Sequence, residues 1–118
     1  MDKWQAIHNF WSGFDLPAYD QNSVPDDAVA PYITYEAKTA DFENAFPLSG
    51  SIWYRGSSWR DISLKADEIA QSLKQIIKID GGYLFITRGS PFAQRVNDPN
   101  DTVKRVYINL MVEFYTEK

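Results

Sequence analysis

The first apolar residues of the chain recur every three or four positions, which is the spacing of one face of a helix. This pattern predicts a helix from about Asp2 to Ser12, which Gly13 and then Pro17 bring to an end. Residues 15–31 are rich in Asp, Asn, Ser and Pro without a period, which predicts a long surface loop. The residues that carry the helical spacing are Trp4, Ile7, Trp11 and Phe14.

A second apolar stripe in the middle of the chain predicts a longer helix. Ser58 can cap its N-terminus, and Asp61, three residues later, suits the positive end of the helix dipole. We predict that this helix extends to Ile77, and that the turn Asp80-Gly81-Gly82 follows it. The apolar stripe consists of Ile62, Ala66, Ile69, Ala70, Leu73, Ile76 and Ile77.

Four segments rich in β-branched and aromatic residues predict strands. The first two are Tyr32–Lys38 and Ser51–Arg55, which we expect to pair antiparallel with turn residues between Pro47 and Gly50. The third is Tyr83–Thr87, and the last is a longer strand whose apolar and polar residues alternate from Arg105 onwards. The apolar side of this last strand comprises Val106, Ile108, Leu110, Val112 and Phe114.

The predicted order of elements is helix, strand, strand, helix, strand, strand. Consecutive strands can pair as hairpins, so the sequence predicts an α+β fold: a four-stranded, largely antiparallel sheet with two helices on one face. The chain has 118 residues, enough for one compact domain but too few for two that each carry a core. We therefore treat residues 1–118 as a single domain.

Charge and composition exclude several classes of function. The formal net charge is −4, which does not favour non-specific coating of nucleic acid. The absence of Cys excludes disulfides and thiolate chemistry, and a single His excludes a multi-histidine metal centre within one chain. No basic and apolar leader and no membrane-spanning apolar stretch is seen, so we expect a soluble protein that stays where it is made.

His8 is the one imidazole of the chain and the first candidate for catalysis. A general base needs a nucleophile or a carboxylate within reach, and Ser12 is the one such partner a helical turn away. No third group that would orient the ring can be named from the sequence. We therefore predict a structural or surface histidine, no catalytic residue and no bound cofactor.

The acidic turn Asp98-Pro99-Asn100-Asp101 suggests calcium at first sight. The twelve-residue spacing of a calcium-binding loop, with its closing Glu, is missing, so a tight turn is the better interpretation. The glycines lack the pattern of a phosphate-binding loop, and the adjacent Asp26 and Asp27 are typical of a loop that caps its own turn. We predict no metal site.

Two features exceed what an isolated small domain needs. The first is the connection from Arg88 to Thr102, which is long for a hairpin loop and contains Phe92, Val96 and Arg95. Such a loop either binds a partner, or Phe92 folds back onto the sheet while the rest is mobile.

The second feature is the other side of the last strand, where Tyr107, Met111 and Tyr115 alternate with charged and polar residues. Helices cover one face of the predicted sheet, so these side chains are half-exposed, buried against a partner, or part of a crowded core. Tyr, Met and Arg are enriched in the cores of interfaces. The predicted interface residues are therefore Arg88, Phe92, Arg95, Tyr107, Met111 and Tyr115.

Several segments spread over nearly the whole chain match those of a known family. They are the amphipathic helix from Trp4 to Trp11, Pro31-Tyr32-Ile33-Thr34-Tyr35, Asp67-Glu68-Ile69-Ala70, Gly81-Gly82-Tyr83, Arg88 to Gln94, the turn at Asp98 to Asp101, and Arg105 to Tyr115. In these segments the sequence resembles the small tail-completion and tail-terminator proteins of long-tailed bacteriophages and prophages, which include head-to-tail joining proteins. None of the matching motifs is a catalytic signature.

The resemblance implies a virion protein that assembles in the host cytoplasm as an oligomeric ring, with a hexamer expected. Such a ring ends the polymerisation of the tail tube and presents a surface to the head connector. The implied partners are other copies of the chain and the tail-tube and head-connector proteins, without a membrane and without specific binding of nucleic acid. The negative net charge suits a ring through which DNA slides.

Two other classes of function remain open at this point. One is a free-standing protein-binding module of the immunity type, whose negative charge would face a basic partner. The other is a small enzyme that uses His8 and a carboxylate from a loop.

Overall fold

A computed structural model describes residues 1–38 and 45–116. The helices and strands follow the order of the chain, and the first helix begins after Asp2, whose carboxylate accepts a hydrogen bond from the amide of Gln5 at 2.8 Å. The elements are α1 Lys3–Ser12, β1 Ala18–Asp20, β2 Tyr32–Ala37, β3 Phe46–Arg55, α2 Arg60–Gln71, β4 Gln75–Ile79, β5 Gly82–Val96 and β6 Val103–Thr116.

The strands form one sheet in the order β1-β2-β3-β6-β5-β4, which curls like half of a barrel. The β1 and β2 strands run parallel, and all other neighbours run antiparallel. The prediction of a four-stranded, largely antiparallel sheet is therefore wrong. The structure has a six-stranded mixed sheet with two helices.

The two additional strands come from segments whose sequence favours another interpretation. The three residues of β1 lie in the polar segment assigned to a loop, and pairing with β2 holds them in place. The β4 strand replaces the predicted last turns of the second helix, which ends at Gln71. Lys74 then adopts a positive φ of 65°, and the isoleucines that follow are stiff, β-branched residues that suit a strand.

The prediction of a loop from Arg88 to Thr102 is also wrong over most of that segment, because β5 continues to Val96. The pairing with β6 shifts register between Arg88 and Ala93, which is a bulge that absorbs the intervening residues. At Gly89 a Cβ atom would lie 2.9 Å from the carbonyl oxygen of Asn109, so this close approach requires glycine. The irregular connection is reduced to residues 97–102.

Strand register places the core on one face of the sheet, called here the inner face. Cross-strand partners share a face, and the residues in the middle of β3 and β6 that point to this face are almost fully buried. Both helices pack their apolar residues into this single cluster. Buried core residues include Ile7, Trp11, Ile33, Leu48, Ile52, Ile62, Ile69, Leu84, Ile86, Ile108, Leu110 and Val112.

One contact sets how closely α1 approaches the sheet. Gly50 lies on the inner face of β3, and a Cβ atom added there would lie 2.7 Å from the Cη2 atom of the Trp11 indole. It would also lie 3.1 Å from the carbonyl oxygen of Thr34. The indole of Trp11 therefore occupies the space that a side chain at position 50 would need.

Candidate interaction surfaces

The six residues predicted as an interface do not form one surface. Arg88 pairs with Leu110, and Arg95 pairs with Val106, so both arginines emerge on the inner face of the sheet. Tyr107, Met111 and Tyr115 alternate with the buried residues of β6 and lie on the opposite, outer face. Phe92 lies in the bulge and packs against the core.

Aromatic rings hold the cations of the inner face in place. The guanidinium of Arg95 lies 5.0 Å, and the ammonium of Lys104 5.3 Å, from the centre of the Trp59 ring. Arg88 lies 5.2 Å from the ring of Phe92 in the same way. Cation–π contacts of this kind orient a positive charge without neutralising it. Aromatic rings therefore position these three cations.

The outer face carries a ladder of aromatic residues that sequence reasoning missed. Tyr19 meets Tyr32 edge to face at 5.9 Å, and Tyr32 stacks on Trp53 at 6.2 Å. The guanidinium of Arg105 lies 4.6 Å from the Trp53 ring and donates to the hydroxyl of Ser51 at 3.0 Å. The ladder crosses β1, β2, β3 and β6, and only the strand register reveals it.

An open apolar groove of about 470 Å³ lies on the outer face beside β4. Ile76, Tyr83, Phe85 and Tyr115 line it, with 69% of Ile76 and 50% of Tyr115 exposed to solvent. The Tyr115 hydroxyl donates a hydrogen bond of 2.5 Å to the carboxylate of Glu113. This bond is the main reason why the pKa of Tyr115 is raised above its ordinary value of 10.0.

Replacing Glu113 with glutamine should lower the pKa of Tyr115 toward 10.0, because the carboxylate that accepts the hydrogen bond of the neutral phenol, and whose negative charge adds to the effect, is then removed. A pH titration of the tyrosine Cζ resonances by NMR measures this change. Glu36→Gln, which alters a carboxylate on β2, is the matched control and should leave Tyr115 unchanged. An unaltered Tyr115 titration in Glu113→Gln would show that the hydrogen bond is absent in solution.

His8 lies on α1, on the side of the molecule where this helix meets β2. Its Nδ1 atom lies 2.8 Å from the hydroxyl of Tyr35, and its Nε2 atom lies 3.2 Å from the hydroxyl of Ser12. Burial, and secondarily the negative charge of Asp20, raises the pKa of Tyr35, so this phenol stays neutral. The ring is thus oriented by a neutral hydroxyl and not by a carboxylate.

We expect His8→Ala to lower the free energy of unfolding by about 0.5–1.5 kcal/mol, since it removes hydrogen bonds at an exposed position. Chemical denaturation compared with Ser12→Ala, which removes one of the two contacts, measures this loss. A hydrolytic activity that His8→Ala abolishes would contradict the assignment of His8 as a structural residue.

The acidic segments form turns. The side chain of Asp98 accepts from the amide of Asn100 at 2.9 Å, and the amide of Ala28 donates to the carbonyl of Pro25 at 3.1 Å. Among residues 1–38 and 45–116, no group of three or more His, Asp or Glu residues could hold a metal ion. Neither of the helices in this part of the chain is long and apolar enough to cross a bilayer.

Comparison with known proteins gives a match in structure only. No protein-family model matches the sequence, and no curated protein matches it. Two chains of solved structures match the fold, one of them in a structure described as "Virion of native gene transfer agent (GTA) particle". The match has a TM-score of 0.64 at 12% sequence identity and covers 96% of this chain and 94% of the other. The chain therefore has the fold of a protein found in the virion of a gene transfer agent.

Proposed function

We propose that this chain is a structural protein of a phage or prophage virion that caps the tail tube and joins it to the head connector. The observation that carries the proposal is the match of fold to a chain of a gene transfer agent virion. The match covers nearly all of both chains, so the two proteins agree in their complete architecture and not only in a common substructure.

The surfaces of the molecule support a role in assembly. Both helices pack on the inner face, so aromatic residues on the outer face of the sheet lie without a covering helix. Exposed apolar groups such as Ile76 and Tyr115 are typical of surfaces that meet another protein. In this proposal, copies of the chain form a closed ring, and the outer face and the end of β5 provide contacts to neighbours in the virion.

The proposal also assigns no catalytic role to the chain. Both nitrogens of His8 are engaged by hydroxyl groups, and the ring has no carboxylate as the third member of a triad in the described residues. The aromatic and cationic groups instead resemble the anchors found at interface cores.

Sedimentation of the purified protein at several concentrations, followed by electron microscopy, tests the ring. Addition of tails from particles that lack the protein tests the cap. We expect a discrete oligomer or a ring bound at one end of the tail. A monomer at every concentration that also leaves tails unbound would contradict the proposed function.

Tyr107→Ala provides a sharper test, because Tyr107 is half-exposed on the outer face. We expect it to weaken self-association or tail binding by more than about 1–2 kcal/mol and to leave folding near that of the parent. Phe92→Ala is the contrasting variant, since Phe92 packs against the core and its loss should destabilise the monomer. If Tyr107→Ala assembles as well as the parent, Tyr107 is not part of the interface.

A further inference from the structure

The two outermost strands of the sheet carry opposite charge. The first is β1, which with β2 forms one edge of the sheet, and the other is β4, which with β5 forms the opposite edge. We call these the β1–β2 edge and the β4–β5 edge. Outermost strands leave backbone groups on one side without a partner strand, and a protein that stays monomeric protects such strands.

The β1–β2 edge is acidic. Residues 13–37, which follow α1 and form β1, β2 and the loops around them, contain five acidic residues and no Lys or Arg. Between α1 and this edge lies a cavity of about 190 Å³ to which Asp20 and Glu36 contribute. The five acidic residues are Asp15, Asp20, Asp26, Asp27 and Glu36.

The β4–β5 edge is basic. Residues 72–97 contain two lysines, two arginines and one acidic residue. That acidic residue, Asp80, forms an ion pair at 3.1 Å with the amino group of Met1. The ion pairs found within residues 1–38 and 45–116 do not involve the four cations. These cations are Lys74, Lys78, Arg88 and Arg95.

The apolar groove of Ile76, Tyr83, Phe85 and Tyr115 lies along this same basic edge, on the outer face. The β4–β5 edge thus combines an outermost strand, an exposed apolar groove and positive charge that forms no ion pair within residues 1–38 and 45–116. A partner that fits it has an outermost strand, an apolar or aromatic side chain on the same face, and negative charge. The β1–β2 edge of this chain has all three, with Tyr19 on the outer face of β1.

We propose that the β4–β5 edge of one copy binds the β1–β2 edge of the next copy, so that the sheet continues from one subunit into its neighbour. This proposal rests on the proposed function, whose ring it supplies with an interface. The two edges are unlike and lie on opposite sides of the molecule, so each copy uses both, and a constant rotation between copies closes the ring. The charges steer the edges together and select their register.

The positions of the charges along the strands can also be compared between the two edges. Arg95, near the end of β5, lies at the same end of the sheet as the loop that holds Asp27. Traced across to β6, Glu36 on β2 is level with Asn109 and Lys78 on β4 is level with Tyr115, so both lie further along the strands than Arg95, which is level with Val106. A head-to-tail arrangement of parallel-oriented copies therefore keeps the charges in the same order along the strands, with Arg95 toward Asp27 and Lys78 toward Glu36.

A charge exchange tests the proposal. One variant carries Lys78→Glu with Arg95→Glu, and the other carries Asp27→Lys with Glu36→Lys. Each variant alone places like charges at the four exchanged positions of the two edges and should self-associate at least about tenfold more weakly than the parent. An equal mixture should recover the association, because the exchanged positions of one variant then meet positions of opposite charge on the other. Analytical ultracentrifugation of each variant and of the mixture measures this.

The outcomes separate this interface from the proposed function. Association of both variants like the parent, or a mixture that stays dissociated, overturns the edge-to-edge interface while the ring of the parent stands. A parent that associates neither with itself nor with tails contradicts the proposed function and this interface together. Variants that self-associate normally but lose tail binding would show that the edges face a different protein, which also overturns the proposal.

Two single substitutions distinguish a weaker interface from a loss of folding. Glu36→Lys and Asp67→Lys change the net charge equally, but Asp67 is exposed on α2, away from both edges. Thermal unfolding shows whether each variant is folded. Glu36→Lys should weaken self-association and Asp67→Lys should not, and equal effects of the two would overturn the proposal.

Discussion

Replacing Trp11 with alanine is expected to lower the free energy of unfolding by about 3–5 kcal/mol. The indole is fully buried, meets Phe10 edge to face at 5.1 Å and stacks on Tyr35 at 6.3 Å. It also fills the space above Gly50. Alanine would leave a cavity between α1 and the sheet, which neighbouring backbone cannot close. A loss of this size is a large part of the stability of a small domain.

Urea unfolding followed by far-ultraviolet circular dichroism measures this loss. The matched control is Trp4→Ala, since Trp4 lies on the same helix and is 56% exposed. We expect the control to change the free energy of unfolding by less than about 1 kcal/mol. Equal losses for the two tryptophans would show that α1 does not pack on the sheet through Trp11.

Ile69→Ala should produce the second large effect, a loss of about 2–5 kcal/mol. Ile69 lies on the buried side of α2 and is inaccessible to solvent. Its side chain belongs to the same cluster as the inner face of the sheet, so truncation leaves a cavity within the main core. Thermal and urea unfolding both report this loss.

Ile76→Ala is the matched comparison, because Ile76 follows Ile69 by seven residues and would share its buried face if the helix continued. In the structure Ile76 instead lies on β4 and is 69% exposed. We expect its truncation to cost less than about 1 kcal/mol, the range of strand propensity. A loss as large as that of Ile69→Ala would mean that the helix extends beyond Gln71.

Several elements follow from sequence patterns alone. The first helix, the antiparallel pair of β2 and β3, and the strict alternation of β6 are confirmed, although Trp4 of the predicted apolar stripe is 56% exposed. These patterns succeed because each segment is long enough for one period to dominate. The same argument fails at Ile76 and Ile77, where adjacent isoleucines fit a helix stripe and a strand equally well.

The other errors arise where distant contacts override local signals. Gly89 and Pro91 are typical of a turn, yet β6 holds them in a bulge of β5. The three residues of β1 have no pattern of their own and are positioned by β2. Local sequence cannot reveal either, because the partner strand supplies the stabilising contacts.

The candidate interface could be predicted from the sequence only where it depends on local alternation along one strand. Alternation alone correctly assigns Tyr107, Met111 and Tyr115 to the side of β6 that faces away from the core. The aromatic ladder and the charge difference between the two edges depend on the order of the strands, so they become visible only in the folded chain.

The contact between Gly50 and Trp11 also constrains how this protein evolves. A side chain at position 50 and an indole at position 11 require the same volume, so neither residue can change freely while the other is kept. Divergent descendants of this chain should therefore exchange the two positions together, with a larger residue on β3 accompanied by a smaller one on α1. Such a coupled change would preserve the distance between the helix and the sheet while the identity of both residues is lost.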